Sequence, residues 1–293
     1  MRFLTYNINN EESYGVLNEE KNSVLDLKQF TKETSLIDFI KSTENNKMVL
    51  KKVKEEIDNN DQLISIDKIT IKSPIPNPRR NIICLGLNYL DHAKESEKYK
   101  DNDFKLPEAP AYFSKMAAKT IGHNSDLKLE EDLTSKLDYE VELAIVIGKE
   151  GRNIPKDKVY EYIFGFTIMN DFTARDLQRK HTQWFKGKSL DNYTSLGPVI
   201  THLKDFKLPL KVNLKSYVNG ELRQSSNTKH LIYDIEEIIS DFSKGITLLP
   251  GDIIATGTPA GVGMGMNPPT FLQKGDKVVC EIDNIGVLEN NIV

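Results

Sequence analysis

The chain has 293 residues, 39% hydrophobic and 28% charged, with a formal net charge of −4. This composition is that of a folded protein long enough for a sizeable core, and its dispersed charge excludes a basic nucleic-acid or anionic-membrane surface. Two cysteines, Cys84 and Cys280, exclude a disulfide framework and are expected as reduced core residues.

The first ten residues lack the apolar core of a signal peptide, and no apolar run approaches the roughly 18 residues that span a bilayer. A cytoplasmic protein is therefore expected. Residues 1–75 predict a small accessory unit of packing or dimer support. Short strands are expected over 2–8, 14–17 and 23–27, a helix over 35–40 opened by a Ser or Thr cap, a second helix over 48–57, and a strand over 67–71. Pro74, Pro76 and Pro78 favour an extended linker. They divide the chain into a small N-terminal α/β domain, 1–75, and a catalytic domain, 76–293.

Residues 81–87 read as an apolar strand that runs into 88–95. If that segment is helical, His92 and Glu95 are neighbours on one face. A carboxylate beside an imidazole fixes its tautomer and raises its basicity, which makes a general base. An incidental pair on a surface helix has the same spacing. Residues 94–104 are almost all polar, the composition of a mobile lid. A strand is expected over 111–115.

The stretch 137–147 reads as a β-strand carrying Glu140 and Glu142 two residues apart, hence on one face. Either that face turns to solvent, or a cation holds two carboxylates that would otherwise repel each other. A strand over 163–169 ends at Asn170-Asp171, with a helix expected from Thr173. Asp171 suits either metal ligation or a helix cap. Gly187-Lys188-Ser189 looks like the end of a phosphate loop, but Thr182 occupies the position where that motif needs glycine. Lys188 is then a surface lysine or an inward cation.

The remaining chain is strand-dominated. It contains an Asn219-Gly220 hairpin, a helix over 235–242, a glycine-rich loop over 257–263, and a closing hairpin. Strands without strict strand–helix alternation exclude a Rossmann fold and a (β/α)8 barrel. The fold class expected is α+β and β-rich.

Glu140, Glu142 and Asp171 supply hard oxygen ligands, suited to Mg2+ or Mn2+, with Ca2+ as a third candidate. A 2-keto acid can chelate such an ion through its carboxylate and keto oxygens. Arg175, Lys188 and Lys115 offer positive charge for an anionic substrate, and Gln178 offers a neutral donor.

Several ordered pieces together resemble the fumarylacetoacetate hydrolase superfamily over residues 80–293. They are Gly86-Leu87-Asn88-Tyr89 with His92 and Glu95; Asp138-Tyr139-Glu140-Val141-Glu142-Leu143; Asn170-Asp171 with Thr173-Ala174-Arg175-Asp176-Leu177-Gln178; Gly187-Lys188-Ser189-Leu190-Asp191; Leu196-Gly197-Pro198; Asn219-Gly220; and Thr256-Gly257-Thr258-Pro259-Ala260-Gly261-Val262-Gly263. The resemblance implies a mixed β-sandwich roll, a homodimer, and a divalent metal on Glu140, Glu142 and Asp171. It implies a catalytic His92–Glu95 dyad on a lid and Lys188 as an enolate or oxyanion stabiliser. Arg175, Gln178, Lys188 and Thr258 would line the substrate site. Many relatives carry a basic residue where Leu87 stands, which bears on the distal part of the substrate.

The activity implied is cleavage of a C–C bond of a 2-keto or 2,4-diketo acid, as an oxaloacetate decarboxylase or acylpyruvate hydrolase. Isomerase and hydratase activities occur in the same superfamily. A metal-binding scaffold that engages a partner through residues 1–70 is the non-enzymatic alternative.

Overall fold

The computed structural model describes residues 1–45, 47–59, 62–97 and 108–293. Most of the polar stretch read as a lid, from residue 98 on, lies outside the described residues. The fold is mixed α+β and strand-rich, as the sequence predicts.

An eleven-stranded sheet organises it. Its path runs Ile64–Ser65, Ser23–Asp26, Glu11–Asn18, Arg2–Ile8, Thr194–His202, Ile163–Asp171, Val141–Ile147, Ile253–Ala255, Ile82–Gly86, Ala111–Lys115. Thr70–Ile71 pairs with Arg2–Ile8. The N-terminal strands therefore extend the same sheet as the site strands, through Arg2–Ile8 against Thr194–His202. A second sheet, in the order Glu221–Asn227, Asn213–Val218, Lys277–Ile282, Gly286–Ile292, Ser125–Leu127, packs on one face of the first.

Every residue of Val141–Ile147 is buried. The strand alternates between two cores. Val141, Leu143, Ile145 and Ile147 meet the second sheet through Leu214, Val278, Ile282 and Leu288. Ala144 and Val146 face the other way, among Phe3, Phe39, Ile40, Met169 and Ile200. This explains why the segment, Glu142 apart, is apolar on both faces rather than alternating. It also overturns a solvated face for this strand. Each fully buried Val, Leu or Ile contributes about 1.5–3 kcal/mol, the scale against which two buried glutamates must be held.

Three local expectations change. The predicted strand 137–147 is broken: Leu137–Asp138 pairs with Thr173–Ala174, and the long strand restarts at Val141. The helix expected from Thr173 begins at Arg175, because Thr173 and Ala174 are spent in that pairing. The strand expected over 67–71 is a 3-10 turn, Ile66–Lys68, followed by only Thr70–Ile71. There Ser65 caps the turn by accepting the Asp67 N–H. The Ser35 cap behaves as predicted: its hydroxyl accepts the Asp38 N–H at 3.2 Å and opens the helix Leu36–Asn45.

Candidate active site

The antiparallel register builds the carboxylate cluster. Val141–Ile147 and Ile163–Asp171 pair with Val141 opposite Asn170 and Glu142 opposite Met169. One step further, the Asp171 N–H donates to the Glu140 carbonyl at 2.9 Å. Opposed residues share a face, so Glu140, Glu142 and Asp171 fall on the side of Ala144 and Val146. Their ligand oxygens lie within 4.8 Å of one another, and all three residues are buried. Asn170 Oδ1 accepts the Glu140 N–H at 3.0 Å and holds the break in the strand.

Three buried cations surround this cluster. Lys188 Nζ lies 2.6 Å from both Glu140 and Asp171, over the Phe113 ring. Lys115 Nζ pairs with Asp171 and donates to the Phe172 carbonyl at 2.9 Å. Arg175 binds Glu140 through Nη1 at 2.6 Å and Asp138 through Nε at 2.8 Å. The helix Arg175–Lys180 puts Gln178 one turn on, where its Oε1 accepts from Arg175 at 3.2 Å.

Electrostatics separate the two glutamates. Burial pushes Glu140 up, but Lys188 and Arg175 outweigh it and hold the group well below the usual carboxylate range. Glu142 has no cation at ion-pair distance among the described residues; it accepts the Gly257 N–H at 2.9 Å. Burial, then Asp171 and Glu140, push it well above the usual range. Burial lowers Lys115 against the pull of Asp171, whereas Asp171 and Glu140 outweigh burial at Lys188 and raise it. With Asp138 included, four buried carboxylates face three buried cations among the described residues. An all-oxygen donor set with one under-compensated carboxylate fits a hard divalent cation.

His92 and Glu95 lie on the helix Leu90–Glu97, with His92 Nδ1 3.1 Å from Glu95 Oε2. Asn88 fixes the entry to this helix. Its side chain donates to the Tyr233 and Thr256 carbonyls at 3.1 and 2.9 Å and accepts the Tyr233 N–H at 2.8 Å. His92 is 7% exposed, so the pair is not an incidental surface contact.

The cavity that joins these parts has a volume of about 630 Å³ and is lined by His92, Glu140, Glu142, Arg175, Gln178, Lys188 and Thr258. Apart from Glu95, Asp171 and Lys115, which stand behind this lining, every residue expected in the site borders one space. Thr258 differs in detail from the expectation. Its hydroxyl donates to the Val141 carbonyl at 2.9 Å and accepts from Gln224 at 2.7 Å, so the side-chain proton is already committed to the fold. Leu87 lines the cavity at φ 55°, a left-handed conformation uncommon for a bulky side chain.

Sequence reasoning left Asp138, Trp184 and Gln224 without a role. Asp138 neutralises Arg175 from inside. Trp184 closes one cavity wall, its ring so close to Gly86 that an added Cβ would sit 2.3 Å away. Gln224 accepts the Val141 N–H at 3.0 Å and ties the site strand to the second sheet. A glycine ending an apolar strand was the available signal for Trp184. For Asp138 and Gln224 the signal was a buried polar residue that needs partners.

Comparison with known proteins agrees with this construction. Residues 81–293 match the family model for the fumarylacetoacetate (FAA) hydrolase C-terminal region. The chain is 49% identical over 230 residues to oxaloacetate tautomerase YisK of Bacillus subtilis (strain 168), covering 78% of this chain and 75% of the relative. It superposes on a fumarylacetoacetate hydrolase from the psychrophile Exiguobacterium antarcticum with TM-score 0.82 and 37% identity, over 100% of this chain and 99% of that one. Maleylpyruvate hydrolase from Sphingobium sp. SYK-6, solved with manganese(II) and pyruvate, superposes with TM-score 0.79 and 25% identity over 100% and 99% of the two chains. No helix among the described residues is long and apolar enough to cross a membrane. The chain belongs to the fumarylacetoacetate hydrolase family and is an enzyme of that superfamily.

Proposed function

We propose that this enzyme acts at C3 of a short 2-keto acid, with oxaloacetate as its first substrate. It interconverts the keto and enol forms, and loss of CO2 from the keto form, which passes the C3–C4 bond pair to the 2-keto oxygen and leaves the enolate of pyruvate, is a second outcome. The observation that carries this reading is the shared cavity: His92, backed by Glu95, faces the same space as Glu140, Glu142 and Arg175. The name of the Bacillus relative and the pyruvate and manganese of the Sphingobium structure support the substrate class and the cofactor.

Glu140, Glu142 and Asp171 would hold Mg2+ or Mn2+, which when bound supplies Lewis-acid polarisation of the 2-keto and carboxylate oxygens. Arg175 Nη2 is buried and has no partner among the described residues, so it is the donor left for a substrate carboxylate. Lys188 adds positive charge beside the developing enolate oxygen. In the keto-to-enol direction His92, oriented by Glu95, takes the C3 proton and the enolate oxygen takes one from solvent; ketonisation reverses both transfers. Trp184 and Phe113 keep water from that wall. A homodimer and residence in the cytoplasm belong to the same reading.

The test is ketonisation of freshly dissolved enol-oxaloacetate with Mg2+ or Mn2+, with pyruvate release followed in parallel and acetylpyruvate cleavage as a separate arm. Ketonisation that EDTA abolishes, and that His92→Ala slows by about 10²–10⁴-fold, is the expected result. Metal-independent turnover, or an unimpaired His92→Ala protein, overturns it. Cleavage of acetylpyruvate with oxaloacetate untouched replaces it with hydrolysis, in which His92 activates water.

A further inference from the structure

Resting on that reading of Arg175 and the dyad, we propose that Asp138 is a positioning residue that couples substrate capture by Arg175 to the placement of His92. The Asp138 carboxylate is fully enclosed. Its Oδ1 accepts the Gly263 N–H at 2.7 Å and the Tyr139 N–H at 3.0 Å. Its Oδ2 accepts Arg175 Nε at 2.8 Å and the Met264 N–H at 2.9 Å. All four acceptor positions are therefore filled, two of them by one turn 125 and 126 residues along the chain.

The same turn grips Glu95. The Gly261 N–H donates to Glu95 Oε1 at 3.1 Å. A Cβ on Gly265 would lie 2.0 Å from the Glu95 carboxyl carbon, so the turn closes around that side chain. Glu95 in turn meets His92 at 3.1 Å. The contacts are continuous from Arg175 through Asp138, the turn 261–265 and Glu95 to His92.

Charge compensation alone does not require this arrangement. A carboxylate beside Arg175 would neutralise it without also holding the turn that holds the base. Arg175 lines the cavity, and its buried Nη2 has no partner among the described residues, so a substrate carboxylate that binds there meets the guanidinium whose Nε is fixed by Asp138. Ordering at one end of the chain of contacts then favours ordering at the other.

The test is hydrogen–deuterium exchange of the full-length Mg2+-loaded protein with and without oxalate, a stable dianion that presents the same chelating oxygens. In the wild type, oxalate is expected to slow exchange of residues 90–97 by about tenfold. Asp138→Asn keeps the shape but replaces an acceptor oxygen with a donor. It is expected to bind oxalate, shown by calorimetry, while losing that protection, with no change in exchange of the N-terminal strands Glu11–Asn18 and Ser23–Asp26. Gly265→Ala enters from the other end and is expected to leave oxalate affinity unchanged while abolishing the same protection. Full oxalate-dependent protection of 90–97 in Asp138→Asn overturns the proposal. Should that variant not fold, full protection in Gly265→Ala overturns it. Protection by oxalate does not depend on which keto acid is turned over, so a failed oxaloacetate assay leaves this result readable on its own.

Discussion

Glu140 and Glu142 stand two residues apart on one face, yet the protein surrounds them differently. Glu140 lies between Lys188 and Arg175, each at 2.6 Å. Glu142 has, among the described residues, a single backbone N–H from Gly257. The first carboxylate is part of the fold's own charge balance. The second is a donor that the fold leaves to be satisfied by something else, and it forces burial of a repulsion that a divalent cation would remove. On the proposed reading Glu140 serves both the fold and the ion, and Glu142 the ion alone.

The largest effect should come from Glu140→Gln. It leaves two buried cations short of a partner, and removing one member of a buried pair costs about 3–5 kcal/mol. Chemical denaturation of the metal-free protein reads this directly; wild-type stability would break the comparison. Next comes metal itself. At a hundredfold excess of Mn2+ over its Kd the wild type should gain about 2.7 kcal/mol, and Glu142→Gln should gain nothing at the same concentration. Equal gains would show that Glu142 is not the residue waiting for the ion.

Thr258→Val should cost about 1 kcal/mol of stability, because its hydroxyl serves Val141 and Gln224, and should leave KM for oxaloacetate unaltered. A large KM effect would move that hydroxyl from the fold to the substrate. The smallest effect is Glu142→Gln without metal. Removing one of three crowded carboxylates should leave denaturation stability within about 0.5 kcal/mol of the wild type, or above it. A loss as large as that of Glu140→Gln would erase the distinction between the two sites.

Much of this was legible from local spacing. Alternation along a strand put Glu140 and Glu142 on one face, a strand end singled out Asp171, and helical spacing paired His92 with Glu95. What stayed hidden depends on partners far along the chain. The strand Val141–Ile147 is buried because the second sheet covers one face and Phe3, Phe39 and Ile40 cover the other, which its own residues do not reveal. Asp138 meets a turn more than a hundred residues away. The Thr258 hydroxyl is taken by Gln224, whose own position follows from the second sheet. Nothing in the local pattern marks Trp184, and only its close approach to Gly86 places it at the cavity. Local periodicity fixes which face a side chain occupies; the pairing of distant segments decides what that face meets.

The most direct test of the central claim is proton exchange at C3 of pyruvate in D2O, followed by NMR with Mg2+ present. The account predicts deuterium incorporation in the wild type, none above background after EDTA, and a loss of about 10²–10⁴-fold in His92→Ala. Incorporation in His92→Ala at the wild-type rate would contradict it, because the proton at C3 would then be moved by some other group.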